Sequence, residues 1–166
     1  MRLDGREFAT QVNHTRLRER ISANVSGVDV TVILRSDRNI AWQPFGEFPH
    51  FVFSILQVDM QQRIADVIFK FAAGQQIVLH RHKALNHTFV IQGEHYIYEE
   101  DGSLREIRPA GIHTISPASE TPHREGGGSA EDVIVLFSMR PQPGELLYEI
   151  LDDNGQIIAE VTLETL

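Results

Sequence analysis

The chain of 166 residues contains no cysteine. Disulfides, thiolate metal sites and a cysteine nucleophile are thereby excluded. Positive charge is scarce: 15 Lys and Arg stand against 23 Asp and Glu, for a net charge of −8. The densest basic segment, Arg16-Leu17-Arg18-Glu19-Arg20, reads as a solvated helix face. No stretch suits tracking a phosphate backbone, so nucleic acid is not an expected partner. No apolar run spans a membrane; the longest, around Phe51 to Leu56, is only a few residues. The first seven residues, Met1 to Glu7, are charged rather than apolar and lack the pattern of a secretory signal. A soluble cytoplasmic protein is the expectation. Internal repeats, low-complexity tracts and a long amphipathic helix are lacking too.

What is present is short and alternating. Hydrophobic residues make up 42% and charged residues 23% of the chain, enough for one packed domain. Residues 1–40 read as an N-terminal extension and residues 41–166 as a single barrel domain. Residues 1 to about 25 have the character of a polar, helical lead-in. Val28 to Leu34 alternates and is rich in β-branched residues, which predicts a strand suited to pairing at an edge with another subunit. Trp42 to Gly46 reads as a loop with aromatic anchors, Trp42 packing. Further strands are expected over Phe51 to Val58, Ile64 to Phe71, His95 to Glu99, Leu104 to Ile107, Ile112 to Ile115 and Val133 to Met139, the last deeply buried. Asp101-Gly102 and Asp153-Asn154-Gly155 are hairpin signals. Gly126-Gly127-Gly128 reads as a flexible loop. Many short strands separated by frequent turns argue for an all-β sandwich or barrel.

The stretch Gly74 to Gly93 carries the chemistry. It holds His80, His82 and His87. On a strand, side chains alternate faces, so His80 and His82 point the same way and Arg81 the other. Two adjacent imidazoles offer two nitrogen ligands to one divalent ion. Phe89 and Ile91 share parity with His87, and the larger apolar set is expected inward, which places His87 inside as well. His123, after Pro122, is the best candidate for a further histidine on a later strand. His14, His50, His95 and His113 read as ordinary structural or half-exposed histidines.

Gly74, His80, His82 and Gly93 fall at the positions of the first motif of the cupin superfamily: Gly, five residues, His-x-His, three or four residues, Glu, six residues, Gly. Pro109, Gly111 and, after an offset, His123 fit the second motif more loosely. Over residues 40–140 the chain therefore resembles the cupins, whose fold is a double-stranded β-helix or jelly-roll barrel. It departs at the motif's Glu, which is Asn86, with His87 one position further on. His-x-His-x4-His is similar to the spacing in cupins of the 2,4′-dihydroxyacetophenone dioxygenase and acetylacetone-cleaving dioxygenase type.

That resemblance implies a non-haem metal enzyme cleaving a carbon–carbon bond of a small enolisable diketone or hydroxyketone, with dioxygen as co-substrate. His80, His82 and His123 would be the metal ligands, and His87 a fourth ligand or an outer partner. Glu99, closing the strand after Gly93, is a candidate for an outer catalytic role. The cofactor would be a divalent transition metal, iron(II) by resemblance; imidazole ligands also suit zinc, nickel or manganese less selectively. Three neutral imidazoles leave the ion at +2, which attracts a chelating anion such as an enolate. Two other readings stay open: a non-catalytic metal- or small-molecule-binding or sensor cupin, and a metal-free cupin isomerase using Tyr96 or Tyr98. The extension of residues 1–40 is expected to cover a barrel edge or to form an arm of a homodimer.

Overall fold

The structure is a computed structural model and describes residues 19–25, 28–34 and 37–166. The expectations for residues 1–18, His14 among them, lie outside the described residues. The chain forms two compact units, one ending at Ala41 and the other Trp42–Leu166.

In the first unit, β1 (Glu19–Val25) and β2 (Val28–Leu34) form an antiparallel hairpin in continuous register from Glu19 opposite Leu34 to Val25 opposite Val28. Residues 19–25 are thus strand, not helix. Strand β1 pairs along one edge of β2 within the same chain. A single 3₁₀ turn, Asp37–Asn39, follows.

The second unit is all β. Its largest sheet contains β3 (Gln43–Pro44), β4 (Phe51–Asp59), β5 (Ile64–Phe71), β7 (Leu85–Gln92), β10 (His113–Ser116) and β12 (Val133–Arg140), in the order β10-β7-β12-β5-β4-β3. Two three-stranded sheets complete it. One is β11-β8-β9, from β8 (Glu94–Tyr98), β9 (Leu104–Pro109) and β11 (Arg124–Gly127). The other is β14-β13-β6, from β6 (His80–His82), β13 (Tyr148–Leu151) and β14 (Ile157–Val161). Among the described residues there is no α-helix, and no helix long and apolar enough to cross a membrane.

Period-two patterning decides which faces meet. On β5, Val67, Phe69 and Phe71 face inward; on β12, Val133, Val135, Phe137 and Met139 do the same, each opposite an inward residue of its neighbour. With Phe51, Phe53, Tyr148 and Ile150 they form one core. Phe69 is its hub, meeting Phe137 edge-on at 5.1 Å and Phe53 in a stack at 6.0 Å. Turns supply the left-handed backbone the strands need: Gly93 lies at φ 72° between β7 and β8, and Gly102 at φ 83° in the β8–β9 hairpin.

Strand β7 corrects the expected orientation. Asn86, Thr88 and Val90 point inward, 1%, 3% and 1% exposed, whereas Phe89 and Ile91 are 41% and 50% exposed. His87 shares their outer face. Size and apolarity misassign the parity because the inner wall here is partly polar, lining a cavity rather than a dry core. Gly126, Gly127 and Gly128 are likewise not a free loop: all are buried, the first two within β11.

Candidate metal centre

Strand β6 is only His80-Arg81-His82, yet it is pinned on both sides. It pairs with β13, His80 opposite Ile150 and His82 opposite Tyr148. On the other side His80 and His123 exchange backbone hydrogen bonds, 3.1 Å from His80 N to His123 O and 3.0 Å in return. That bridge brings the side chain of His123 onto the face shared by His80 and His82. Glu125, two residues on, has the same parity, and its carbonyl accepts from Ile77 N at 2.9 Å.

The result is a cluster of four donors, His80, His82, His123 and Glu125, whose ligand atoms all lie within 4.8 Å of one another. Nε2 of His80 and Nε2 of His82 are 3.2 Å apart. Glu125 Oε2 lies 3.7 Å from His80 Nε2, and Oε1 lies 3.7 Å from His82 Nε2 and 3.6 Å from His123 Nε2. These carboxylate–imidazole separations are too long for hydrogen bonds. At about 2.1 Å from a metal, neighbouring ligands stand about 3.0 Å apart in an octahedron and about 3.4 Å apart in a tetrahedron; the 3.2 Å between the two imidazole nitrogens falls in that range, and the carboxylate would close in by a few tenths of an ångström to share the ion.

The outer faces of the rings fit the same role. His80 Nδ1 donates to the Val78 carbonyl at 3.0 Å, which fixes the tautomer and leaves Nε2 with a bare lone pair. The Asn86 side-chain nitrogen lies 2.8 Å from Nδ1 of His82, while the Asn86 oxygen is buried without a partner. Turning the amide over gives that oxygen the Nδ1–H to accept from, and His82 then also presents a lone pair inward. Two imidazole lone pairs facing each other repel unless a cation lies between them. The residues present therefore fit a divalent metal.

Electrostatics agree. Burial lowers the pKa of His80 to about 4, with His123 adding to the shift and Glu125 opposing it. Burial holds His82 well below its ordinary value as well, again against the pull of Glu125. Both rings are thus neutral at pH 7, as ligation requires. For Glu125, burial pushes upward, but the surrounding imidazoles, His95 foremost, hold the carboxyl well below the ordinary range. It remains a carboxylate.

His95 is the histidine that its surroundings misrepresent in sequence. It is wholly buried, stacks on Phe71 at 5.5 Å and places Nε2 3.6 Å from Glu125 Oε1. Tyr148 closes another side, its ring edge-on to His82 at 5.0 Å, and burial raises its phenol well above 10.

Of the five residues singled out in the sequence, the structure brings His80, His82 and His123 together and leaves two elsewhere. His87 lies on the outer face of β7, its Nδ1 3.4 Å from Nε2 of His113 on β10. Glu99 faces Arg105 at 3.6 Å, its side chain 45% exposed, and is not among the donors. Glu125 was missed. Its signal was available: His123-x-Glu125 repeats the spacing of His80-x-His82, and a strand puts both members on one face. With Glu125 present, the donor set carries one negative charge and is not the all-histidine set expected from Asn86.

Two spaces flank the cluster. A cavity of about 290 Å³ is lined by His82, His123 and Glu125 together with Thr88, Arg105 and Arg108. On the other side a recess of about 30 Å³ touches His80 and Glu125 and is walled by Phe69, Phe71, Phe137 and Tyr148.

No family model matches this chain, and no curated protein does. Solved structures do. An RmlC-like cupin protein from Ralstonia eutropha is 22% identical, with a TM-score of 0.60 over 78% of each chain. An acetylacetone dioxygenase from Acinetobacter johnsonii is 17% identical, with a TM-score of 0.61 over 86% of this chain and 92% of that one. A polyketide cyclase from Streptomyces resistomycificus is 16% identical, with a TM-score of 0.53 over 69% of this chain and 83% of that one. At such identities the likeness is one of fold.

Proposed function

The chain has the cupin fold, and we propose that it is a mononuclear metal-dependent dioxygenase. It would cleave a carbon–carbon bond of a small enolisable diketone or hydroxyketone. The observation that carries this reading is the buried ring of His80, His82, His123 and Glu125 beside a cavity large enough for a small molecule. The acetylacetone dioxygenase among the structural neighbours adds support from the fold. Iron(II) is the proposed metal; zinc, nickel or manganese are the alternatives the same donors accept.

His80, His82, His123 and Glu125 would hold the ion. When bound it would supply Lewis acidity toward a chelating enolate and a site for dioxygen. The protein's own part is to position and to exclude water. Val78 and Asn86 hold the His80 and His82 rings by their outer nitrogens. Tyr148 and Phe137 pack on the His82 ring at 5.0 and 6.0 Å and limit its rotation. The apolar recess beside His80 has room for about two water-sized molecules but offers them little to bond to, so it suits a diatomic gas. Four protein donors leave two positions of an octahedron, fewer than the three that histidines alone would leave.

That reduction favours a second reading, in which the protein binds a metal without catalysis. One experiment separates the two. Metal content is measured on protein purified without a histidine tag, beside a His80→Ala/His82→Ala double variant. Oxygen uptake is then followed with acetylacetone and 2,4′-dihydroxyacetophenone. Near-stoichiometric metal in the wild type only, with substrate-dependent oxygen consumption, is the expected result. Metal without oxygen uptake would favour the binding reading. No metal after anaerobic iron(II) reconstitution would overturn both. A homodimer and a cytoplasmic setting belong to the same proposal; beside the arm expected of residues 1–40, the exposed apolar face of Phe89, Ile91 and Ile115 supports the dimer, and light scattering tests it.

A further inference from the structure

The larger cavity has an unusual charge balance. In a chain of net charge −8, its lining includes two arginines, Arg105 and Arg108, and no carboxylate other than Glu125 in the donor cluster. Both arginines come from β9 and line the same cavity as His82 and His123.

Arg108 is an ordered group. Its side chain is 14% exposed. Nε and Nη2 donate to the two oxygens of Glu106 at 2.9 and 2.7 Å, and Nη1 donates to Thr114 Oγ1 at 3.3 Å. Thr114 is in turn hydrogen-bonded to Thr88, another residue of the cavity wall, at 2.5 Å. These bonds use three of the five N–H groups of the guanidinium and leave one on each Nη. A clamped fork with two free donors loses little freedom when it grips an anion. Arg105 is looser: its side chain is 36% exposed and its one ion pair, to Glu99, is 3.6 Å long. It stands where an incoming anion would meet charge first.

Glu125 gives these cations a reason. A carboxylate in the donor set lowers the charge of the loaded site by one, and with it the attraction for an anionic substrate. Arg108 and Arg105 each already face a carboxylate, Glu106 and Glu99, so what they offer an anion is directed N–H donors at a distance from the reacting atoms rather than net positive charge.

We propose that the substrate carries a carboxylate held by Arg108, with Arg105 assisting at the rim, while its enolisable oxygens face the histidine cluster. The substrate class is then an oxo acid bearing a 1,3-dioxo group rather than a neutral diketone. This rests on the dioxygenase reading for its chemistry but not for its binding.

The test uses a matched pair of probes, 2,4-dioxopentanoate and its methyl ester, which share the 1,3-dioxo unit and differ in one charge. After metal content is measured, each is titrated calorimetrically and without oxygen into wild type, Arg108→Gln and Arg105→Gln. The wild type is expected to bind the acid at least about tenfold more tightly than the ester, as for one hydrogen bond to a charged group. Arg108→Gln should bring that preference close to one with metal content unchanged, and Arg105→Gln should reduce it severalfold. Should Arg108→Gln fail to fold, the exposed Arg105→Gln carries the test. Equal binding of acid and ester by wild type, no binding of either, or an undiminished preference in the variants would overturn the proposal. Selective binding of the acid without oxygen uptake would instead overturn the dioxygenase reading and leave the carboxylate site standing.

Discussion

The side chain of Asn86 meets Nδ1 of His82 at 2.8 Å, on the side of the ring that faces away from the other donors. Asn86 stands where the cupin motif has a metal-binding Glu, and here it would steady a proposed ligand instead. Such outer partners typically change metal affinity about 10–100-fold when removed. Asn86→Ala is expected to weaken iron(II) or zinc binding by about that factor. Asn86→Asp, which still accepts from Nδ1–H, should stay within severalfold of wild type. Competition against a chromophoric chelator measures both. Equal affinity for wild type and Asn86→Ala would show that His82 needs no partner.

Glu125→Gln isolates the carboxylate of the proposed donor cluster. The amide is nearly isosteric and keeps the backbone bond from Ile77, so folding should persist. Metal affinity should fall by about 100-fold or more, beyond the roughly 10–100-fold effect of an outer partner. The same chelator competition checks it. A loss below tenfold would place Glu125 beside the ion's shell rather than in it.

How far the sequence reached depends on which residues alternate cleanly. Ile64 to Phe71 reads as a strand with Val67, Phe69 and Phe71 inward, and β5 has those bounds and that face. The hairpin signals at Asp101-Gly102 and Asn154-Gly155 lie between paired strands. That His80, His82 and His123 come together follows from strand parity for the His80-x-His82 pair and from the His80–His123 backbone bridge for the third. His87 was misplaced because parity was judged by apolar bulk, while β7 turns Asn86 and Thr88 toward a polar cavity and Phe89 outward. Glu125 and His95 were hidden by their neighbours. Glu125 precedes three glycines that look like a loop until the sheet buries them, and His95 opens a run, Tyr96-Ile97-Tyr98, in which it alternates as one more strand residue. Their roles depend on β11 pairing with β8, a contact between distant segments that no local pattern encodes.

Acid should destabilise the metal-free protein in a defined window. Burial holds His80 at about 4, against 6.5 in an unfolded chain, and shifts His82 in the same direction. Between pH 6.5 and about 4 the unfolded chain therefore binds more protons than the folded one, so stability falls as pH is lowered through that range. Glu125 acts lower: its folded carboxyl is held well below 4.5, so its contribution is present above that value and is lost only on further acidification. Urea midpoints of metal-free protein should drop steadily from pH 7 to pH 4.5. The drop should shrink in His80→Ala/His82→Ala. A midpoint flat over this range would mean that both imidazoles already sit near their unfolded values.

Gly126 links the glycine run to the site. A side chain there would drive its Cβ into the carbonyl oxygen of Gln75, and a Cβ on the neighbouring Gly127 would lie only 2.9 Å from the carbonyl oxygen of Ala72. Backbone meets backbone at this point, so the strain cannot be relieved by turning a side chain. Gly126→Ala is expected to push β11 away from the segment at Gln75, and Glu125 is the adjacent residue. The variant should lose roughly 1–3 kcal/mol of stability, as overpacking does, and should also lose metal affinity although no ligand has changed. Gly111→Ala is the control, because a Cβ there meets nothing within 4 Å, though its φ of 90° costs some stability of its own. It should lower the urea midpoint and leave metal affinity at the wild-type value. If Gly126→Ala also kept full affinity, the donor geometry would not depend on the close approach of β11, and the buried glycines would serve packing alone.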